Sequence, residues 1–185
     1  MSYDFHLFKR RPGEDPLVTA ERGGEDLPTT PPDPEREAVK RKAGDALVAF
    51  NPKLEVSQFD YEAIAKSRGI SVEEARLSNR YMELTDPEED SYGVQIMLFD
   101  NEGGVTVPFW HDGDKAAAAL REIWAYLEII CREAGYLVYD QQVGRVLDLS
   151  ADFDDVRACY AGSLQQIRGI LPAYRAKKRP WWKFW

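Results

Sequence analysis

Val94-Gln95-Ile96-Met97-Leu98-Phe99-Asp100-Asn101-Glu102-Gly103-Gly104-Val105-Thr106-Val107-Pro108-Phe109 is the stretch that decides the fold. Its first six residues are a hydrophobic strand, Asp100 to Gly104 is strong turn chemistry, and Val105, Val107 and Phe109 alternate on a returning strand. A β-hairpin is predicted here, and a hairpin needs further strands and a helical layer before it can bury its apolar face.

Both are present on either side. Upstream, Tyr81 to Thr85 reads as another strand, and residues 61–80 as two short helices, Tyr61 to Arg68 and Val72 to Asn79, parted by Gly69-Ile70-Ser71. Ser71 and Glu74 have the spacing of a capping box, in which the two side chains satisfy each other's free amides. Leu54, Val56 and Gln58-Phe59 suggest a short strand, and before it Asp33 stands as N-cap to Pro34 at the first helical position. The helix that follows runs to Phe50 and is expected to bury Val39, Ala43, Leu47 and Phe50. Arg10 to Pro34 is rich in proline and glycine and reads as a long surface loop. Tyr3, Phe5 and Leu7 alternate with Asp4 and His6, so residues 2–9 form a strand. Downstream, Asp112 or Asp114 caps a helix to Ala134 with Ala117, Leu120, Ile123, Trp124, Leu127, Ile130 and Cys131 on its apolar face, and Gly135 terminates it. Tyr136 to Tyr139 and Arg145 to Leu149 form a second hairpin. A last helix begins near Ser150 and buries Phe153, Val156, Tyr160, Leu164, Ile167 and Leu171. The expectation is an α+β domain over residues 1–175, a mostly antiparallel sheet with two or three long helices packed on one face, followed by a basic aromatic tail at 176–185.

Composition sets the class. With 185 residues, 44% hydrophobic and 30% charged, the chain can bury a core without metals or disulfides. No apolar run has the roughly 18–20 residues of a membrane span, the polar start lacks a signal peptide's apolar region, and a cytoplasmic location is expected. Cys131 and Cys159 have neither CxxC spacing nor a nearby histidine and read as buried free thiols. Charge is uneven: residues 156–185 hold seven Lys and Arg and no Asp or Glu, leaving all 32 acidic side chains in residues 1–155 against 17 basic ones. A body of that sign repels phosphates, so specific nucleic acid binding is not expected.

The most distinctive motif is the terminus. Trp181, Trp182, Phe184 and Trp185 stand beside Lys177, Lys178 and Arg179, joining wide apolar area to cations. Such a segment suits the protein's own acidic body, another protein or, less favourably, a membrane surface. Residues 61–80 resemble a helix-turn-helix, with Arg76, Asn79 and Arg80 on the second helix, but Glu73 and Glu74 sit where phosphates would approach. His6 lies on the polar side of its strand. His111, between Trp110 and the pair Asp112 and Asp114, could begin an enzyme or metal site, although those aspartates are also natural helix caps. Asp148, Asp152, Asp154 and Asp155 lack EF-hand spacing and fit a helix start. Phosphate-loop, dinucleotide and zinc-hydrolase motifs are missing, so no catalytic, cofactor or metal residue is assigned.

The segments Tyr81-Met82-Glu83-Leu84, Gly93 to Asn101 with Val105 to Trp110, and Gly135 to Gln142 resemble small uncharacterised bacterial domains, some associated with polymorphic-toxin immunity. The resemblance covers residues 60–150 and implies a binding protein of the bacterial cytosol. It supplies no site residue, since the pattern after Asp140 would continue with proline where Gln141 stands. The sequence as a whole therefore points to a non-enzymatic acidic protein-binding domain, an immunity-type inhibitor of a basic toxin. A DNA-binding regulator using residues 61–80 and an enzyme or metal site around His111 are the alternatives.

Overall fold

A computed structural model describes residues 2–22 and 32–170. In chain order the elements are β1 (Ser2–Phe8), α1 (Pro16–Arg22), α2 (Pro34–Phe50), β2 (Glu55–Val56), α3 (Tyr61–Arg68), α4 (Val72–Ser78), β3 (Met82–Thr85), β4 (Gln95–Leu98), β5 (Glu102–Pro108), α5 (Gly113–Ala134), β6 (Leu137–Asp140), β7 (Arg145–Val146) and α6 (Phe153–Ile170). The strands form one antiparallel sheet in the order β2-β3-β4-β5-β1-β6-β7. The α+β reading holds, and the N-terminal strand turns out to be the junction of the fold. Paired with β5 on one side and β6 on the other, β1 joins the two predicted hairpins into a single sheet.

Alternation along each strand sends one set of side chains to the core. Tyr3, Phe5 and Leu7 of β1, Val105 and Val107 of β5, Ile96 and Leu98 of β4, Leu84 and Val138 share the buried face. Helix α5 covers it with Leu120, Ile123, Trp124, Leu127 and Ile130, and α2 packs beside α5 through Ala43 and Leu47. Gly44 makes room for the Met82 side chain, whose sulfur a Cβ there would meet. The Trp124 indole donates to the Leu149 carbonyl at 2.9 Å and meets the Phe153 ring edge-on, tying α6 to α5. Tyr160 of α6 stacks on Phe109 and donates to the Pro108 carbonyl at 3.1 Å.

Two buried polar clusters fix the ends of the sheet. Asp140 is fully buried and accepts from the Tyr3 hydroxyl at 2.7 Å and from the amides of Gln142 and Val143, which closes the β6–β7 turn. Burial and that carboxylate push the Tyr3 hydroxyl far above the ordinary tyrosine range. At the β4–β5 turn, Asp100 receives Lys40 from α2 at 2.9 Å and Arg80 at 2.5 Å, and Lys40 also reaches Glu37 and the Arg80 carbonyl.

Local expectations differ from the structure at four places. The Arg10–Pro34 loop contains α1, begun by Asp15 accepting from the Leu17 amide and by Pro16 at the first helical position. The β4–β5 turn is only Asp100-Asn101, so Gly103 and Gly104 lie within β5; a Cβ on Gly103 would come 2.5 Å from the Met97 carbonyl. Phe50 is exposed at the end of α2, its ring resting edge-on against Tyr126. Asp112 occupies the N-cap of α5 without a side-chain bond to its amides, whereas Asp33 and the Ser71–Glu74 box cap as expected.

Candidate functional site

The second face of the sheet is where the fold leaves groups available. The helices α2, α5 and α6 gather over the Tyr3, Phe5, Leu7 face, while α1 lies on the other face beside β1 and β7, and the rings of Phe59, Tyr81 and Phe99 link its far end to Tyr61 of α3, which Arg76 of α4 covers. Strand register places Glu83, Met97, Gly104, His6 and Tyr139 in one row across five strands. The next row is Glu55, Thr85, Gln95, Thr106 and Asp4. Toward the other end lie Glu102, Phe8 and Leu137, beside the stacked rings of Tyr81 and Phe99 and the tilted ring of Phe59.

The charged strand positions of this face have one sign. Its strand positions carry Asp4, Glu55, Glu83 and Glu102 and no Lys or Arg. These side chains are half-buried or exposed, and some are held in place: Gln95 donates to Glu83 at 3.0 Å, Ser2 to Asp4 at 3.1 Å, and His6 Nε2 lies 3.8 Å from Glu102. Gly104 leaves the middle of the face without a side chain, and a groove of about 430 Å³ opens there between α1 and β4. Asp4, His6, Ala20, Glu21, Met97 and Thr106 line it. Carboxylates spread over a partly desolvated surface attract a cationic group more strongly than the same charges in bulk water, and the short methyl-bearing walls offer it apolar contact.

The other candidates are placed differently. In the α3–α4 pair, Asn79 is buried and donates to the Ala75 carbonyl, Arg80 is bound to Asp100, and Arg76 lies over the Tyr61 ring. The three side chains of a would-be reading helix thus point to three separate structural contacts. His111 is buried, with Nε2 2.7 Å from the Tyr92 carbonyl; burial holds it below the ordinary histidine value, and the neutral ring donates to that carbonyl. Among the described residues no group of three His, Cys, Asp or Glu side chains is arranged to hold a metal ion. Asp152 and Asp155 bind Arg145 at 2.8 and 2.7 Å, Asp154 binds Arg157, and Asp148 accepts from Ser150, so the acidic cluster serves the start of α6. Cys131 and Cys159 are half-buried free thiols, and burial pushes Cys131 up to about 11. Lys177, Lys178, Arg179, Trp181, Trp182, Phe184 and Trp185 lie outside the described residues.

Sequence reasoning placed His6 on a polar strand face and missed the surface it belongs to. The available signal was the alternation itself: in β1, β3, β4 and β5 the positions between the core residues include Asp4, His6, Glu83, Thr85, Gln95, Glu102 and Thr106. No helix among the described residues is long and apolar enough to cross a membrane. Comparison of the chain with family models, curated proteins and solved structures finds no match.

Proposed function

We propose that this protein is a non-enzymatic binding domain that engages a basic protein through the open acidic face of its sheet, in the manner of an immunity-type inhibitor neutralising a basic toxin such as a nuclease. The observation that carries this reading is that the charged strand positions of this face, on β1, β2, β3 and β5, are all acidic, together with the groove of about 430 Å³ beside Gly104. Complementary charge steers encounter and rejects acidic competitors, and a few anchors at the centre of the contact supply most of the affinity. The resemblance of residues 60–150 to small uncharacterised bacterial domains, some associated with polymorphic-toxin immunity, is in keeping with the same class of partner.

The test is identification of a partner from the native cell by affinity purification and mass spectrometry, followed by titration of the purified pair. Asp4→Asn with Glu83→Gln is expected to weaken binding about tenfold and flatten its salt dependence. If the partner is a nuclease, the native protein inhibits it and the double variant does so less. Affinity that is unchanged by both substitutions and by salt would reject the reading.

A further inference from the structure

We infer that the open sheet face is the docking site of this chain's own C-terminal segment, residues 176–185, and that a basic partner binds by displacing it. The inference rests on the reading of this face as the binding surface and adds what occupies it when the partner is absent.

Charge is the first argument. The face presents Asp4, Glu55, Glu83 and Glu102 without a strand Lys or Arg, and Glu21 joins them at the groove. The segment supplies Lys177, Lys178, Arg179 and Lys183, and residues 156–185 contain no acid to compete for them. Surface chemistry is the second. Trp181, Trp182, Phe184 and Trp185 need apolar contacts, and the face offers Met97, Ala20, the bare backbone at Gly104 and the Phe59, Tyr81, Phe99 aromatic row. Flat rings fit a sheet surface whose central row has a glycine, because no Cβ there holds them off.

Reach is the third. Tyr160 of α6 is bonded to Pro108 at the Ser2–Pro108 end of the sheet, and α6 continues ten residues to Ile170, about 15 Å. Residues 171–180 can span about 33 Å when extended, enough to return that distance, cross a layer about 10 Å thick and bring Trp181 to the row of Asp4, Thr106 and Gln95. Tethering also raises the effective concentration of the segment to the order of millimolar, so modest affinity suffices to keep the face occupied. A partner of much higher affinity displaces it.

The experiment uses full-length chains and a dye-labelled synthetic peptide of residues 176–185, read by fluorescence anisotropy. The native chain is compared with one carrying Trp181→Ser, Trp182→Ser, Phe184→Ser and Trp185→Ser. The substituted chain should bind the peptide roughly tenfold more tightly than the native chain, whose own segment competes. Adding Asp4→Asn and Glu83→Gln to the substituted chain should reduce that binding roughly tenfold. Equal binding by native and substituted chains, or binding indifferent to Asp4 and Glu83, overturns the inference. So does sedimentation of the native chain with phosphatidylserine vesicles that requires the four aromatics, since it assigns the segment to a lipid surface. A parallel titration with polylysine separates the two readings. If polylysine binds through Asp4 and Glu83 and the peptide does not, docking of the segment fails while the binding face stands; if neither depends on these carboxylates, both fail.

Discussion

Replacing Lys40 by methionine tests how the sheet's central hairpin is held. Lys40 leaves only 3% of its side chain exposed, and its ammonium lies 2.9 Å from Asp100 and 2.6 Å from Glu37. Methionine keeps the length of the stem and removes the charge. Each close pair in a partly buried site is worth about 4 kcal/mol of attraction at an effective dielectric of 20, and most of that is offset by the desolvation of the ions. Asp100 still holds Arg80 after the substitution, and Glu37, one third exposed, can turn to water. The net cost is therefore about 2–4 kcal/mol, below the full penalty of orphaning a buried charge. For a chain of this length it should lower Tm by roughly 4–16 °C. Asp100→Ala is the harsher change, at about 3–5 kcal/mol, because it strips Lys40 and Arg80 of their shared acceptor. Differential scanning calorimetry with a urea titration measures both variants. Hydrogen exchange adds the local readout: the Lys9 amide, bonded to the Asn101 carbonyl at 2.9 Å, should lose protection along with the turn. A Lys40→Met chain as stable as the native one would show that desolvation cancels the pairing, and that backbone pairing alone sets the position of β4 and β5.

Four other substitutions address the core, the hairpin and its groove, and acid stability. Trp124→Ala removes a buried indole, its contact with Phe153 and its bond to the Leu149 carbonyl, and should cost about 3–5 kcal/mol in urea unfolding; a change under about 1 kcal/mol would displace Trp124 from the core. Gly103→Ala should destabilise the hairpin, since its Cβ meets backbone at 2.5 Å, whereas Gly104→Ala meets nothing closer than 3.7 Å and should leave Tm unchanged while weakening whatever enters the groove. His111 is held below its ordinary value mainly by burial, so the unfolded chain takes up a proton at a higher pH than the fold does. Its contribution is complete above about pH 6.5 and is lost as the pH falls through the lower folded value. Urea unfolding across this range should show stability falling with acid before the carboxylates titrate, and His111→Gln should remove that slope.

Much of the fold was legible because its signals are local. Alternation in residues 2–8, the Asp33-Pro34 start, the Ser71–Glu74 box and the helical face from Ala116 to Ala134 each follow from neighbours within a turn or two. The errors have physical causes of the same scale. Asp15-Pro16 carries the same start signal as Asp33-Pro34, but the proline and glycine around it read as loop, and α1 was missed. Gly103 and Gly104 looked like turn residues because close approach of the Met97 carbonyl, the reason for glycine at 103, is a tertiary fact. Phe50 fits the apolar stripe of α2 but falls beyond the edge of the layer, where Tyr126 covers only one side of it. Lys40 gave no sign of burial at all, since its principal partner is sixty residues away.

The site was less legible than the fold for a related reason. A catalytic motif concentrates its chemistry in a few adjacent residues, and none is present to be read. The open face instead takes one residue in two from β1, β3, β4 and β5, and those residues are ordinary polar strand positions when each strand is considered alone. Only register aligns Glu83 with Met97, Gly104 and His6, and only the gathering of the long helices on the opposite side leaves them open. The same argument explains why net charge was a signal available beforehand: a sum over residues survives ignorance of their positions. The fold converts that sum into a surface by drawing Lys40 and Arg80 inward to Asp100 and Arg145 to Asp152 and Asp155, away from the strand carboxylates. Basic side chains thus stabilise the turns and helix ends of the core side, and the acidic side chains between β2 and β1 share the other face of the sheet.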